Sequence, residues 1–306
     1  MTSALSAKHF HDEAAAYAFV EARVWSQGPV CPHCGGTERI GLMGGKSTRI
    51  GAYKCYQCRK PFTVKIGTIF EASHVALHLW LQAMYLMCAS KKGISSNQLH
   101  RTLGVTLKTA WFMSHRIREA ITSDDTSLMG GNSGAVEVDE TYIGNQPGRI
   151  ARQSFHHKMK VLSLVERRTG IARSFVVKNV GLADIAPIIA RNVAPDTRLM
   201  TDEAGVYKRI GKDFLTHETT THSLGQYVFG DTHTNTIEGF FSVFKRGMKG
   251  VYQHCQERHL HRYLAEFDFR YTNRVATGIN DKDRASLALL GVVGKRLTYQ
   301  TACRKG

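Results

Sequence analysis

Apolar and polar residues alternate through AVEVDETYIG, residues 135–144. This predicts a strand with Val136 and Val138 on one face and Glu137 and Asp139 on the other. Downstream, KVLSLVERRTGIARSFVV predicts a hairpin turning at RRTG. GLADIAPIIARNV predicts a helix that starts near Asp184, because Pro187 falls inside the pattern. TRLMTDE, residues 197–203, predicts a short strand ending at Asp202, and HETTTHSLGQYVFGD, residues 217–231, predicts a loop-rich stretch. HTNTIEGFFSVFKRGMKG, residues 233–250, predicts an amphipathic helix. Its apolar stripe is Ile237, Phe240, Phe241 and Phe244, while Asn235, Glu238 and Lys245 share the opposite side. A second helix follows, with Leu260, Leu264, Phe267 and Tyr271 as its buried stripe.

Upstream the period is helical. One helix is predicted from about Val75 to Ser90, followed by ISSNQLHRTLGVTLKTAWFMSHRIREAI. There Ser95 or Ser96 can cap a helix and Gly104 sits at a turn. Leu99, Leu103, Val105, Ala110 and Met113 have the apolar spacing of a helix-turn-helix. Its second helix is expected to expose Lys108, Arg116 and Arg118 to phosphates or a major groove. His100 departs from the small residue such turns often take, and a plain helical hairpin is the competing reading.

These patterns divide the chain into a ribbon-like region (1–72), a helical module (73–123), a polar, Gly-rich linker (124–134), an α/β domain (135–275) and a C-terminal tail (276–306). The fold class expected is multidomain α+β.

Charge sharpens this picture. Among 306 residues, 41 Lys plus Arg face 25 Asp plus Glu, a formal net charge of +16. Such an excess suits a polyanion, most simply nucleic acid. The first residues lack the apolar core of a signal peptide, and VALHLWLQAMYLMCA is broken by His78 and Gln82. A cytoplasmic protein without a membrane span is expected.

Seven cysteines are present, and four of them form CPHC (31–34) and CYQC (55–58). Each CxxC turn points two thiolates at one ion, so Cys31, Cys34, Cys55 and Cys58 predict a tetrahedral structural Zn2+ site of the zinc-ribbon kind. A redox role is the alternative, and two paired motifs argue against it. His33 reads as a bystander, and Cys88, Cys255 and Cys303 as ordinary buried thiols.

Three antiparallel strands, a helix, a parallel strand and a late helix make up the order of a ribonuclease-H-like domain. There the first and fourth strands lie side by side, so Asp139 and Asp202 are expected to meet. Two close carboxylates repel, and Mg2+ or Mn2+ relieves the repulsion and supports in-line phosphodiester attack. Glu238 is the candidate third ligand, and Lys245, about two turns on, would hold a phosphate. Arg246 and Lys249 are expected to line DNA with it. Taken singly, these residues could also be turn caps or a solvated face.

The ribbon CPHC…CYQC, VEVDETYIG, TDEAGVY and HTNTIEGFFSVFKRGMKGVY…HLHRYLAEFDFRYTNR together resemble a family of prokaryotic DDE-type transposases. These belong to the insertion-sequence fifteen-ninety-five family, ISXO-two-like subgroup. The resemblance runs from about Val24 to Leu297. It implies metal-dependent DNA cleavage at terminal inverted repeats and strand transfer into target DNA. The family's acids fall on Asp139 and Asp202 and its lysine on Lys245. Its third position is Glu in some members and Asn in others, so Glu238 and Asn235 both stand as candidates; a carboxylate is the better ligand for a hard cation. Pairing two element ends implies a homodimer or larger assembly. Two other functions fit the same residues: a DNA-binding regulator with a silent domain, and a structure-selective nuclease.

Overall fold

The computed structural model describes residues 3–146, 148, 155–220, 228–229 and 232–298. Cys303 and residues 299–306 of the expected tail lie outside these, as do residues 221–227 of the expected loop. The chain forms two compact units, one of Met1–Ser90, Ile94–Ile121 and Asn280–Gly306, the other of Lys91–Gly93 and Thr122–Ile279.

The first unit begins with α1 (Glu13–Val24), whose first turn is capped by the Asp12 carboxylate accepting from Ala15 N–H at 2.7 Å. Strands β1 (Ile40–Leu42), β2 (Tyr53–Cys55) and β3 (Pro61–Phe62) form an antiparallel sheet in that order. Helix α2 (Leu77–Ala89) has an apolar N-cap, Ala76, with no side chain to cap it. Glu13 of α1 supplies the cap, accepting from Leu77 N–H at 2.7 Å and His78 N–H at 3.1 Å. Helices α3 (Ser96–Leu103) and α4 (Leu107–Ala120) are capped by Ser95 and Thr106. Between them Gly104 takes φ +65°, which costs a glycine little, and His100 Nδ1 bonds the Val105 carbonyl across the turn. A histidine is therefore accommodated where a small residue was expected.

The second unit holds a five-stranded sheet. Strands β4 (Ala135–Ile143), β5 (Met159–Glu166) and β6 (Ala172–Val177) are antiparallel neighbours. Helix α5 (Leu182–Asn192) leads to β7 (Arg198–Asp202), which pairs parallel with β4. Helix α5 starts earlier than predicted and runs through Pro187. The proline forfeits one backbone bond, and burial of Ile185 and Ile189 at 0% exposure outweighs it. After α6 (Gly205–Ile210) comes β8 (Thr216–Thr220), parallel to β7, where a loop was expected. Its threonines favour extended backbone, but an edge strand with a polar face shows no apolar alternation. Strands β9 (Val228–Phe229) and β10 (Thr232–His233) pair with each other, and α7 (Asn235–Gly247) and α8 (Glu257–Thr272) complete the unit.

The sheet order is β6-β5-β4-β7-β8, so the first and fourth strands of the domain are neighbours at its centre. With helices on both faces, this is a ribonuclease-H-like arrangement. Val136, Val138, Leu162, Leu164 and Leu199 pack on one face with α5 and α6. Ile143, Met159, Val161 and Val165 pack on the other with α7 and α8. Both faces being covered explains why every residue of β5 is buried. Residues 124–134 contain no helix or strand but are tied down, with Met129 donating to Asn192 O at 2.7 Å and accepting from Ala194 N at 2.9 Å.

Within the expected tail, α9 (Asp281–Leu290) belongs to the first unit and packs against α2. Asn280 caps it, accepting from the Lys282 and Asp283 N–H groups, and Arg284 donates to Cys88 O at 2.8 Å. Among the described residues, no helix is long and apolar enough to cross a membrane.

Candidate active site

Strand β4 pairs with β7 through Ala135–Arg198, Val136–Leu199 and Glu137–Met200. Carried two residues further, this register sets Asp139 level with Asp202. Side chains alternate along a strand, so Asp139 and Asp202 share the face that carries Glu137 and Met200. That is also the face covered by α7.

The electrostatics bear the mark of this crowding. Burial first, then the neighbouring charges of Glu140, Asp202 and Glu238, push the Asp139 carboxyl up to about 7. A backbone bond from Glu140 N–H at 2.7 Å opposes the rise without cancelling it. Asp202 Oδ1 accepts from Ala204 N–H at 3.0 Å, just ahead of α6. Glu140 is also raised, by burial and by Asp202, although Tyr207 Oη donates to its Oε2 at 2.5 Å. Tyr207 is itself pushed well above the usual phenol value by burial and by these carboxylates.

Helix α7 brings the third acid. Its apolar stripe is buried as the period predicts, with Ile237 and Phe244 at 0% exposure and Phe240 at 1%. Truncating Phe244 to alanine would cost about 3–5 kcal/mol. Glu238 and Asn235 lie on the exposed side of the first turn. Thr234, the N-cap, makes no side-chain cap. Instead Glu137 of β4, fully buried, accepts from Ile237 N–H at 2.8 Å through Oε2 and from Arg167 Nε at 2.6 Å through Oε1. The helix that carries Glu238 is thus fastened by its first turn to the strand that carries Asp139.

The basic candidates separate into two groups. Lys245 is partly exposed and its ammonium lies 6.0 Å from the Phe241 ring centroid; Arg246, Lys249 and Lys108 are exposed. Arg116 and Arg118, expected on the surface of α4, are buried instead, at 5% and 1% exposure. Arg116 donates to the carbonyls of Ile69 at 2.6 Å, Glu71 at 2.8 Å and Leu297 at 3.1 Å, and Arg118 to Ser114 Oγ at 3.1 Å. They satisfy loop and helix polar groups inside the first unit and present nothing to a DNA groove. Helical spacing alone did not mark which face of α4 meets its own unit.

The four ribbon cysteines converge. Cys31 Sγ lies 3.6 Å from Cys58 Sγ, Cys34 Sγ lies 3.7 Å from Cys55 Sγ, and all four sulfurs fall within 4.8 Å of one another. A tetrahedral zinc with Zn–S bonds of about 2.3 Å needs sulfurs about 3.8 Å apart, so the set fits structural Zn2+. Phe62, Trp25, Ile40 and Tyr53 pack beneath it. His33 is exposed and stands outside the cluster.

Three residues of the site went unnoticed in the sequence. Glu137 and Glu140 flank Asp139 within one alternating strand, and the density of acids in EVDE was the available signal. Tyr207 had none, since only the fold brings α6 over the end of β4.

Comparison with known proteins agrees with this architecture. Residues 132–272 match the ISXO2-like transposase domain, and residues 11–61 match the transposase zinc-ribbon domain. An uncharacterized protein in transposable element ISH50 of Halobacterium salinarum is 28% identical over 262 residues, covering 80% of this chain and 86% of that protein. A chain in the simian T-cell lymphotropic virus intasome, solved in complex with PP2A regulatory subunit B56 gamma, aligns at 13% identity with a TM-score of 0.29. The match covers 56% of this chain and 63% of that one, a likeness too slight to carry weight. In both its zinc ribbon and its ISXO2-like domain, the chain resembles the insertion-sequence transposases of the IS1595 type.

Proposed function

We propose that this transposase binds the terminal inverted repeats of its element, cleaves phosphodiester bonds at the element ends and joins them to target DNA, with Asp139, Asp202 and Glu238 as its metal-binding acids. The observation that carries this reading is the parallel pairing of β4 with β7, whose register brings Asp139 level with Asp202 on the sheet face covered by α7, the helix that carries Glu238. Burial first, and then the charges of Glu140, Asp202 and Glu238, push the Asp139 carboxyl up to about 7. Carboxylates gathered on one sheet face beneath one helix are a donor set suited to a hard divalent cation such as Mg2+ or Mn2+. Bound there, such a cation supplies the positive charge and Lewis acidity that phosphodiester chemistry requires.

The chain's own residues do the rest. Lys245 stands seven residues beyond Glu238 on α7, about 10 Å along the helix, and holds a DNA phosphate beside the acids. Arg246 and Lys249 extend that basic edge. Asn235, one turn before Glu238, is the alternative third ligand. The ribbon and the α3–α4 pair grip the terminal repeat as a helix-turn-helix-like module, with Lys108 at the exposed start of α4. The net charge of +16 supports a polyanionic partner. Two protomers pair the element's ends, and the protein works on cytoplasmic DNA.

The test is a joining assay with a labelled 3′-hydroxyl terminal-repeat end and Mg2+. Joined product that disappears in Asp202→Asn, with repeat binding intact, is the expected result. Nicking without joined product would identify a nuclease, and binding without either would identify a regulator.

A further inference from the structure

We infer that Glu137 is a positioning residue for the acid cluster, acting through the first turn of α7; this rests on the proposed site of Asp139, Asp202 and Glu238. Glu137 is fully buried, and burying a carboxylate is costly unless it is paired and hydrogen-bonded. Both of its oxygens are committed. Oε1 accepts from Arg167 Nε at 2.6 Å, and Oε2 accepts from Ile237 N–H at 2.8 Å. Ile237 is the third residue of α7, so its N–H has no partner within the helix. The helix's own N-cap leaves that donor to Glu137, and the positive end of the helix dipole favours a carboxylate there.

What this bond joins gives it a function. Glu137 lies two residues before Asp139 on the same face of β4, and Ile237 is the residue immediately before Glu238. Beside the apolar packing of α7, this contact therefore ties the element that carries one acid directly to the element that carries another. Arg167 holds the other end of the clamp. It sits in the β5–β6 turn, and its backbone N–H donates to Ala135 O at 3.0 Å, so the guanidinium is anchored to the strand it serves. Loss of the Ile237 bond frees the start of α7 to move relative to β4, and Glu238 moves with it. Supporting bonds of this kind govern metal affinity by holding ligands in place.

The experiment measures Mn2+ affinity by electron paramagnetic resonance on the full-length, zinc-loaded protein. Glu137→Ala removes both bonds. Glu137→Gln leaves one oxygen for two donors, and serves where the alanine variant does not fold. Glu266→Gln is the control. It disturbs another buried acid of the same unit, one bonded to Tyr252 and Arg270 and remote in sequence from the acid cluster. The expected result is Mn2+ affinity lowered on the order of 10–100-fold in the Glu137 variants, with Glu266→Gln retaining parental affinity at a comparable loss of melting temperature. Parental affinity in folded Glu137 variants, or an equal loss in Glu266→Gln, would overturn the inference. Asp139→Asn and Asp202→Asn separate the two levels: if Mn2+ binding survives both, the acid site itself is misassigned and the inference falls with it.

Discussion

Asp139 and Asp202 stand at the same level of two parallel central strands and on the same face of the sheet, though far apart in sequence. The pairing of β4 with β7 brings them together, and α7 closes over that face with Glu238. Burial, with the charges of Glu140, Asp202 and Glu238 nearby, pushes the Asp139 carboxyl up to about 7, and much of what can be measured follows from that.

Replacing either aspartate should separate chemistry from binding. Asp139→Asn and Asp202→Asn are expected to lower strand transfer in Mg2+ by at least about 1,000-fold, while gel-shift affinity for terminal-repeat DNA stays near the parental value. Full activity in either variant would sink the assignment.

The same crowding predicts a pH-dependent stability. An unfolded aspartate titrates near the ordinary 3.8, and Asp139 in the fold near 7. Because the folded value is the higher one, the stabilisation linked to this proton is complete below about pH 4 and is lost as the pH rises through about 7. Without divalent cations, the melting temperature of the second unit should fall between pH 5 and pH 8. Asp139→Asn should flatten that fall and exceed the parent at pH 8 by up to roughly 2–4 kcal/mol. A parental pH profile in Asp139→Asn would contradict the account.

The burial of Arg116 makes it a stability residue. Arg116→Ala strands the carbonyls of Ile69, Glu71 and Leu297 and should cost about 3 kcal/mol, read as a lower melting temperature of the first unit. Lys245→Ala should behave in the opposite way, leaving stability within about 0.5 kcal/mol while reducing the salt dependence of DNA binding by about one phosphate contact.

Zinc should be indispensable to the ribbon. Its strands are only two or three residues long and its apolar cluster is small, so the metal must contribute much of the folding energy. Cys55→Ser is expected to abolish zinc binding, measured by atomic absorption, and to make residues 31–62 susceptible to protease.

Much of this was legible in the amino-acid sequence. The alternation in AVEVDETYIG separated Val136 and Val138 from Glu137 and Asp139, as observed, and the phenylalanine stripe of α7 is the face that is buried. The order of elements implied that β4 and β7 would be neighbours, and the CxxC pairs implied the four-sulfur cluster. Other features depend on long-range packing. Alternation marks Glu137 as opposite Val136 but is silent on whether it meets water or the start of a helix 100 positions away. Arg116 looked like a surface charge because nothing local reveals the carbonyls of Ile69, Glu71 and Leu297 that it meets, and Arg118 because helical spacing does not mark which face of α4 its own unit buries. Strand β8 was hidden because its HETT run is polar and shows no apolar alternation.

The most direct test is a crystal structure of the protein soaked in Mn2+, with anomalous scattering recorded at the manganese edge. Manganese peaks coordinated by Asp139 and Asp202, with Glu238 completing the protein ligands, are the expected result. Peaks that avoid Asp139 and Asp202, or a shell closed by Asn235 with Glu238 turned away, would contradict it.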